Sequence, residues 1–414
     1  MAPPSTAPAP AAFSPYQKFV VGLLAFLQFA VILDFMLMAP LGALIMPALS
    51  ITPRQFGLVV SAYAFSAGVS GFVTAGFADR FDRKKILLFF YTGFLVGTLW
   101  CGLAPTFELL LAARVFTGVF GGVIGSVVLA IATDLFEPAL RGRVMGLIQT
   151  AFAASQVLGL PMSLYLSNKW NWHVPFLVLA ALGVAGLVVI WTRLAPVDGH
   201  LGKAQEHNPF MHLLHTITEP RHLLPFLTVT LLATGGFMLM PFSSAFLVHN
   251  LGIALEHLPA IYLCTGLCTM VFGPMIGKLS DKVGKFRVFL FGSVLSSATV
   301  LVYTHLGVTP LWAVVLVNVV MFVGIFSRMI PFQALSSQVP EPARRGAYNA
   351  ISSSIQQVSG GVASLIAGHI VTLGADGRIE HFPTVGYVVA GTSAVTILLM
   401  WNIHRQLQAR AAAP

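Results

Sequence analysis

Between residues 288 and 327 the chain carries no Asp, Glu, Lys or Arg. Apolar runs of this kind recur along the whole sequence, separated by short charged clusters. A helix needs ~20 apolar residues to cross ~30 Å of hydrocarbon. Lipid satisfies no backbone group, so each crossing must be a complete helix. Runs bounded by charges or by Pro and Gly lie near 19–46, 56–77, 86–105, 108–131, 144–166, 174–194, 223–248, 259–277, 288–304, 311–334, 347–372 and 384–403. They mark twelve transmembrane helices. The ninth and tenth are separated by a turn at His305, Gly307 and Pro310 rather than by charge. The runs show no period-two alternation, which excludes a β-barrel.

Composition agrees. Charged residues make up 9% of the 414 and hydrophobic ones 57%, against roughly a quarter charged in a soluble domain. So few charges cannot coat a water-facing surface. A cytosolic enzyme, a disordered protein and, despite a pI near 9.7, a nucleic-acid binder are excluded. The net charge of +9 reads instead as orientation. With both termini cytoplasmic, Arg54, Lys169 and Arg378 fall outside and Arg114 and Arg328 fall within spans. Every other Lys and Arg lies inside, as the positive-inside rule requires. The expected location is a plasma or inner cell membrane, crossed many times.

Residues 1–17 are Pro/Ala-rich and are expected to be a disordered tail without the basic start of a signal peptide. Residues 195–222 read as a cytoplasmic linker, with His200, His207, His212, His215 and His222. His212 and His215 are spaced to share a helix face, but few carboxylates and no Cys accompany them, so a solvated linker is favoured over a metal site. Cys101, Cys264 and Cys268 all sit in apolar runs and form no disulfide framework. Residues 405–414 are a short C-terminal tail.

The two halves echo each other. GFADRFDRKK (76–85) matches GKLSDKVGKFR (277–287), EPALRG (137–142) matches EPARRG (341–346), and DFMLM (34–38) matches GFMLM (236–240). The near-equal offsets give an all-α membrane protein of two pseudo-symmetric six-helix bundles, 18–194 and 223–404. Parallel six-span repeats are the organisation of transporters that rock one bundle against the other around a midplane site.

Gly76, Asp79, Arg80, Arg83 and Lys84 are similar to the loop 2–3 signature of the major facilitator superfamily, with Asp82 where that family usually has Gly. Arg114, Gly118 and Gly122 resemble its fourth-span R-x-x-x-G pattern. GLPMSLYLSNKWNWHVPF (159–176) resembles the efflux-type fifth-span pattern at Gly159, Pro161, Trp172 and Phe176. Ser163, Asn171 and His173 replace Gly, Gly and Arg. The look is nearest to sugar-efflux-like and drug:proton antiporter members. The resemblance implies alternating access and a cytoplasmic gate at Gly76, Asp79, Arg80 and Arg83, echoed by Asp281 and Lys282 in the second half. It also implies a role for Arg114 in setting the protonation of the first-span acid.

That acid is Asp34, the one carboxylate deep in a span. Ionised, it costs ~2.5–3.5 kcal/mol at the bilayer centre on insertion scales, and intramembrane acids by default face a cavity and carry protons. Its alternative is a static ion pair. Arg114 cannot deprotonate and must pair, snorkel or line water; whether it meets Asp34 is open at this stage. Arg328 has no acid in the second bundle's core to meet it. It recognises a carboxylate or phosphate, is capped by helix-end carbonyls, or reaches cytoplasmic water near Gln338. One deep acid against two deep bases leaves +1, which favours neutral, hydroxyl-rich or anionic solutes over lipophilic cations. Tyr63, Gln149, Asn318, Gln333, Gln356 and Gln357 are candidate solute contacts, with Gln28, Gln156 and Asn349 also polar in apolar runs; helix-to-helix hydrogen bonding is their alternative. Gly235, Gly236 and Pro241 should weaken the seventh span, and Pro40 and Pro47 the first.

The reading is a secondary active transporter, driven by the proton gradient with no bound cofactor. It exports a small organic solute in exchange for protons and is expected to be a monomer in the bilayer. The alternatives are a symporter or facilitator importing a small organic anion and, from another class, a non-transporting receptor. No hydrolase, zincin or P-loop pattern supports an enzyme.

Overall fold

A computed structural model of the chain describes residues 13–74, 80–199, 201, 215–341 and 345–412. It is built almost wholly of helices. The first bundle holds α1 (Pro15–Leu37), α2 (Gly42–Ala48), α3 (Pro53–Thr74), α4 (Arg83–Leu103), α5 (Phe107–Leu135), α6 (Pro138–Ala154), α7 (Leu160–Lys169) and α8 (Val174–Arg193). The second holds α9 (Pro220–His249), α10 (Leu258–Val283), α11 (Lys285–Thr304), α12 (Leu311–Ser336), α13 (Arg345–Ile370) and α14 (Phe382–Ala412). A two-stranded antiparallel ribbon, β1 (Thr372–Leu373) with β2 (Ile379–Glu380), fills the loop before α14.

Eleven helical stretches among the described residues are long and apolar enough to cross a membrane. The eleventh expected span, α13, has the length, at 26 residues, but its NAISSSIQQ stretch is too polar to register by composition. It is wedged between α3 and α9, and its Asn349, Ser352, Ser353 and Gln356 line a cavity.

The first expected span, 19–46, is not one helix. It stops at Leu37, turns through Met38–Leu41 and resumes as α2. Pro40 lies in the break, where its ring and missing N–H exclude helical continuation. The seventh span does the opposite of what its sequence implies. The 30-residue α9 runs unbroken through Gly235, Gly236, Pro225 and Pro241, and Gly42 of α2 packs against the Pro241 carbonyl. The fifth span widens into a π turn at Ser155–Gly159 between α6 and α7. The Asp82 carboxylate caps α4, accepting from the Lys84 N–H at 2.8 Å, and also accepts from the Val197 N–H at 3.1 Å. With φ −55° it needs no left-handed backbone, so the expected glycine is dispensable there. Gly76 and Asp79 of the signature lie outside the described residues, as do His200, His207 and His212.

The bundles meet along α3 and α13, and again where the π turn and α7 cross α10. Small residues set the approach. A Cβ on Gly57 would lie 2.9 Å from the Ser364 carbonyl oxygen, one on Gly68 2.7 Å from Val358 Cγ2, and one on Gly266 2.9 Å from the Gln156 carbonyl oxygen. At the end carrying the α2–α3 and α9–α10 loops, a large apolar cluster including Met46, Phe56, Phe242, Phe246 and Phe382 joins both bundles. At the other end the second bundle has, among the described residues, two small clusters, around Phe332 and around Tyr348. This uneven packing leaves room for a cavity.

Candidate functional site

The cavity has a volume near 480 Å³, within the usual ~300–1,000 Å³ range of small-molecule sites. Its walls come from α6, α9, α11, α12, α13 and α14. It extends to Ser336, Ser337, Tyr348 and Asn349, beside the α12–α13 loop, and is closed at the far end by the bundle-joining apolar cluster. Phe237, Phe332, Leu232 and Val229 form apolar wall, and Gln149, Gln333 and Gln356 bring amides to it.

Arg328, 6% exposed, is the one charged residue in that lining. Its Nη2 donates to Thr396 Oγ1 at 3.1 Å and its Nη1 to Ser296 Oγ at 3.4 Å, while Nε has no hydrogen-bond partner. Helix-end carbonyls therefore do not cap it; hydroxyls of α11 and α14 hold it in place. Sequence reading singled out Arg328, Gln149, Gln333 and Gln356, and the structure brings all four to the cavity. It does not bring Tyr63, Asn318 or Gln357. Asn318 Nδ2 donates to the Val314 carbonyl at 2.9 Å, one turn back on its own helix. Gln357, a helical step of about 100° beyond Gln356, is not among the cavity walls. Ser296 and Thr396 went unmarked because lone Ser and Thr hydroxyls in apolar helices commonly bond their own backbone, as Thr299 and Thr304 do here.

The acid sits elsewhere. Asp34, near the end of α1, is 0% exposed and Arg114, on α5, is 1% exposed. Arg114 Nη1 meets Asp34 Oδ2 at 2.8 Å, and Thr98 Oγ1 of α4 donates to Oδ1 at 3.0 Å. Three helices thus converge on one carboxylate. The guanidinium lies over the Tyr63 ring, 4.4 Å from its centroid, a cation–π contact strengthened by desolvation. Arg114 Nε has no partner. The expectation that Asp34 faces a cavity does not hold in this conformation: the carboxylate reaches neither the solvent-facing surface nor the cavity wall.

What divides the two sites is aromatic. The Tyr63 ring packs on Phe35, centroids 5.4 Å apart, and Phe35 packs on Phe237, 5.7 Å apart. Phe237 is cavity wall and Phe35 is the neighbour of Asp34. Gly360 of α13 makes space for the Phe237 ring, since a Cβ there would come within 2.7 Å of it. Four residues after Phe35 the α1–α2 break is clasped to the other bundle. Ser244 Oγ of α9 donates to the Ala39 carbonyl at 3.0 Å and accepts from the Ala43 N–H at 3.3 Å.

At the expected gate, Arg83 Nε pairs with Asp134 Oδ2 of α5 at 3.1 Å, within one bundle rather than across the two. Lys84 Nζ donates to the Trp191 carbonyl. Arg80, Asp281 and Lys282 are exposed. His173, which replaces a family Arg, stacks on Trp172 at 3.7 Å. Burial pulls its pKa below the ordinary histidine value, opposed by a backbone hydrogen bond to Gly102, so it supplies no arginine-like fixed charge.

The family model described as Major Facilitator Superfamily matches residues 24–364 and 225–410. The chain belongs to the major facilitator superfamily. It is a multi-pass membrane transporter, not an enzyme. An uncharacterised transporter of this superfamily, YceJ of Bacillus subtilis (strain 168), is 26% identical over 92% of this chain and 94% of its own. A chloramphenicol efflux pump of Mycobacterium tuberculosis (strain CDC 1551 / Oshkosh) is 26% identical over 63% of this chain and 62% of its own. Among solved structures, a bacterial homologue of the human lysosomal transporter Spinster, inward-facing and unoccupied, superposes with a TM-score of 0.70 at 16% identity. That match covers 95% of this chain and 96% of the other.

Proposed function

We propose that this transporter exports a small organic solute, neutral or anionic, in exchange for protons. The solute occupies the α9–α14 cavity and Asp34 carries the proton. The observation that carries the reading is the ring path Phe237–Phe35–Tyr63, which leads from the cavity wall to the face of the Arg114 guanidinium. A solute pressing on Phe237 and a proton on Asp34 act on the same three rings, so each changes the other's affinity, as linkage requires.

Positive charge puts the α12–α13 loop and both termini in the cytoplasm, and the conformation described is then inward-facing. Asp34 is ionised in it and Arg114 answers its charge. In the outward-facing state the apolar cluster and the Ser244 clasp part, water reaches Asp34, and a proton from outside neutralises it. Arg114 then loses its counter-charge, the solute leaves, and the bundles rock back. Proton release inward re-forms the pair and the rings close over it. Each ligand shifts the equilibrium by its different affinity for the two states. The wholly sealed pair equally describes a static brace; the ring path and the clasp at the neighbouring helix break favour a moving one. Relatives named as a chloramphenicol efflux pump and a multidrug resistance protein support the outward direction.

The test is reconstitution in liposomes with an imposed pH gradient. Solute and protons should move in opposite directions. Asp34→Asn should lose gradient-driven accumulation while retaining solute exchange without a gradient. Movement in the same direction, or full gradient-driven transport by Asp34→Asn, overturns the proposal.

A further inference from the structure

The two deep arginines differ in one respect. Arg114 has a carboxylate at 2.8 Å. Arg328 is nearly as buried, yet no Asp or Glu stands in the cavity lining and no described residue forms an ion pair with it. A guanidinium does not shed its proton in a protein, and a buried charge without a counter-charge is costly. The internal repeat shows where an acid could have been. DFMLM of the first half corresponds to GFMLM of the second, so Gly236 stands at the place of Asp34. Gly236 lines the cavity with open space where its Cβ would be, and a Cβ on Gly235 would sit 4.0 Å from Arg328 Nη1. The second bundle therefore keeps the cation, fixed by Ser296 and Thr396, with a free Nε–H and no internal anion.

We propose that the solute supplies that anion. It is an amphipathic molecule with a single oxyacid group, carboxylate or phosphate-type, bound at the Arg328 guanidinium, and an apolar body lying along Phe237 and Phe332. One fixed positive charge selects one negative group. The apolar wall selects against small inorganic anions. This rests on the reading of the cavity as the solute site and narrows the solute to a class. An anion leaving while a proton enters makes each cycle electrogenic, and an inside-negative membrane potential then drives both movements.

The test is binding to the purified full-length protein in detergent by titration calorimetry. The probes are C4–C12 alkyl and phenylalkyl series presented as carboxylate, phosphonate, primary amide and primary amine. The expected result is at least about tenfold tighter binding of an oxyacid than of its amide and no measurable binding of the amine. The tighter of carboxylate and phosphonate names the group. Arg328→Gln should erase the oxyacid preference. Gly235→Asp, which places a carboxylate beside the guanidinium, should erase it too, while the isosteric Gly235→Asn keeps it, so a folding defect common to both is recognised. Equal binding of acid and amide, preference for the amine, an acid preference that survives in Arg328→Gln, or no binding by any member overturns the proposal. Binding in detergent needs no pH gradient. Acid-selective binding without proton-coupled flux would therefore sink the exporter reading alone, and coupled flux of neutral solutes alone would sink this one.

Discussion

At the residue scale, the Asp34–Arg114 pair has the geometry of either a brace or a proton carrier, and stability separates its two halves. Removing one partner of a buried pair strands the other charge, at a cost of ~3–5 kcal/mol. Asp34→Asn and Arg114→Gln should each lower the melting temperature of the detergent-solubilised protein markedly. The double variant should be less destabilised than the sum, because neither charge is then left alone; additivity of the two shifts would mean that the groups do not interact. Both residues were legible in the sequence, since a charge deep in an apolar run has few innocent explanations. Their contact was not, because a sequence separation of 80 says nothing about which helix faces meet. Tyr63 was legible as polar but not in its role. Its ring carries the guanidinium, and that placement depends on how α3 turns against α5.

At the scale of elements, the proposed exchange between states turns on the break between α1 and α2 and its Ser244 clasp. Cys101, in the same apolar cluster as Leu37, Met38 and Leu41, is a native reporter, buried at 0% exposure with its Sγ 3.7 Å from Thr117 Oγ1. In a Cys264→Ser/Cys268→Ser background, a small methanethiosulfonate should label Cys101 slowly. Adding Ser244→Ala, which removes both clasp hydrogen bonds, should speed labelling by up to about thirtyfold, at about 1 kcal/mol per hydrogen bond. An unchanged rate would mean that the clasp does not hold the far end shut. Phe35→Ala should open the partition between cavity and acid, giving proton leak in liposomes without solute; a tight membrane would show that the rings are not the seal. Pro40 announced the α1 break in the sequence. Pro241 announced a break that tertiary packing overrides, because the Phe237 carbonyl, which the missing Pro241 N–H leaves without a helical donor, accepts from Ser364 Oγ of α13 at 3.1 Å. Local signals located weak points, and neighbours decided which of them yield.

At the scale of the whole molecule, the fold was legible because a bilayer allows so few solutions. Span length, positive-charge asymmetry and the internal repeat converge on two six-helix bundles. The repeat also hid something. Equal halves imply equal cores, yet the first bundle is densely packed around Ile124, Val128 and Leu87 while the second is hollow around Arg328. That asymmetry lies in interdigitated side chains and leaves little mark on hydropathy. On the proposed reading it divides the labour, with the first bundle holding the titrating pair and the second holding solute. On that reading, binding in one bundle is felt by the carboxylate in the other. The most direct measurement is proton release into weakly buffered detergent solution when a transported solute binds the purified protein. The account predicts up to one proton released per solute bound and none from Asp34→Asn; wild-type binding with no release at any pH between about 5 and 9, or release undiminished in Asp34→Asn, would contradict it.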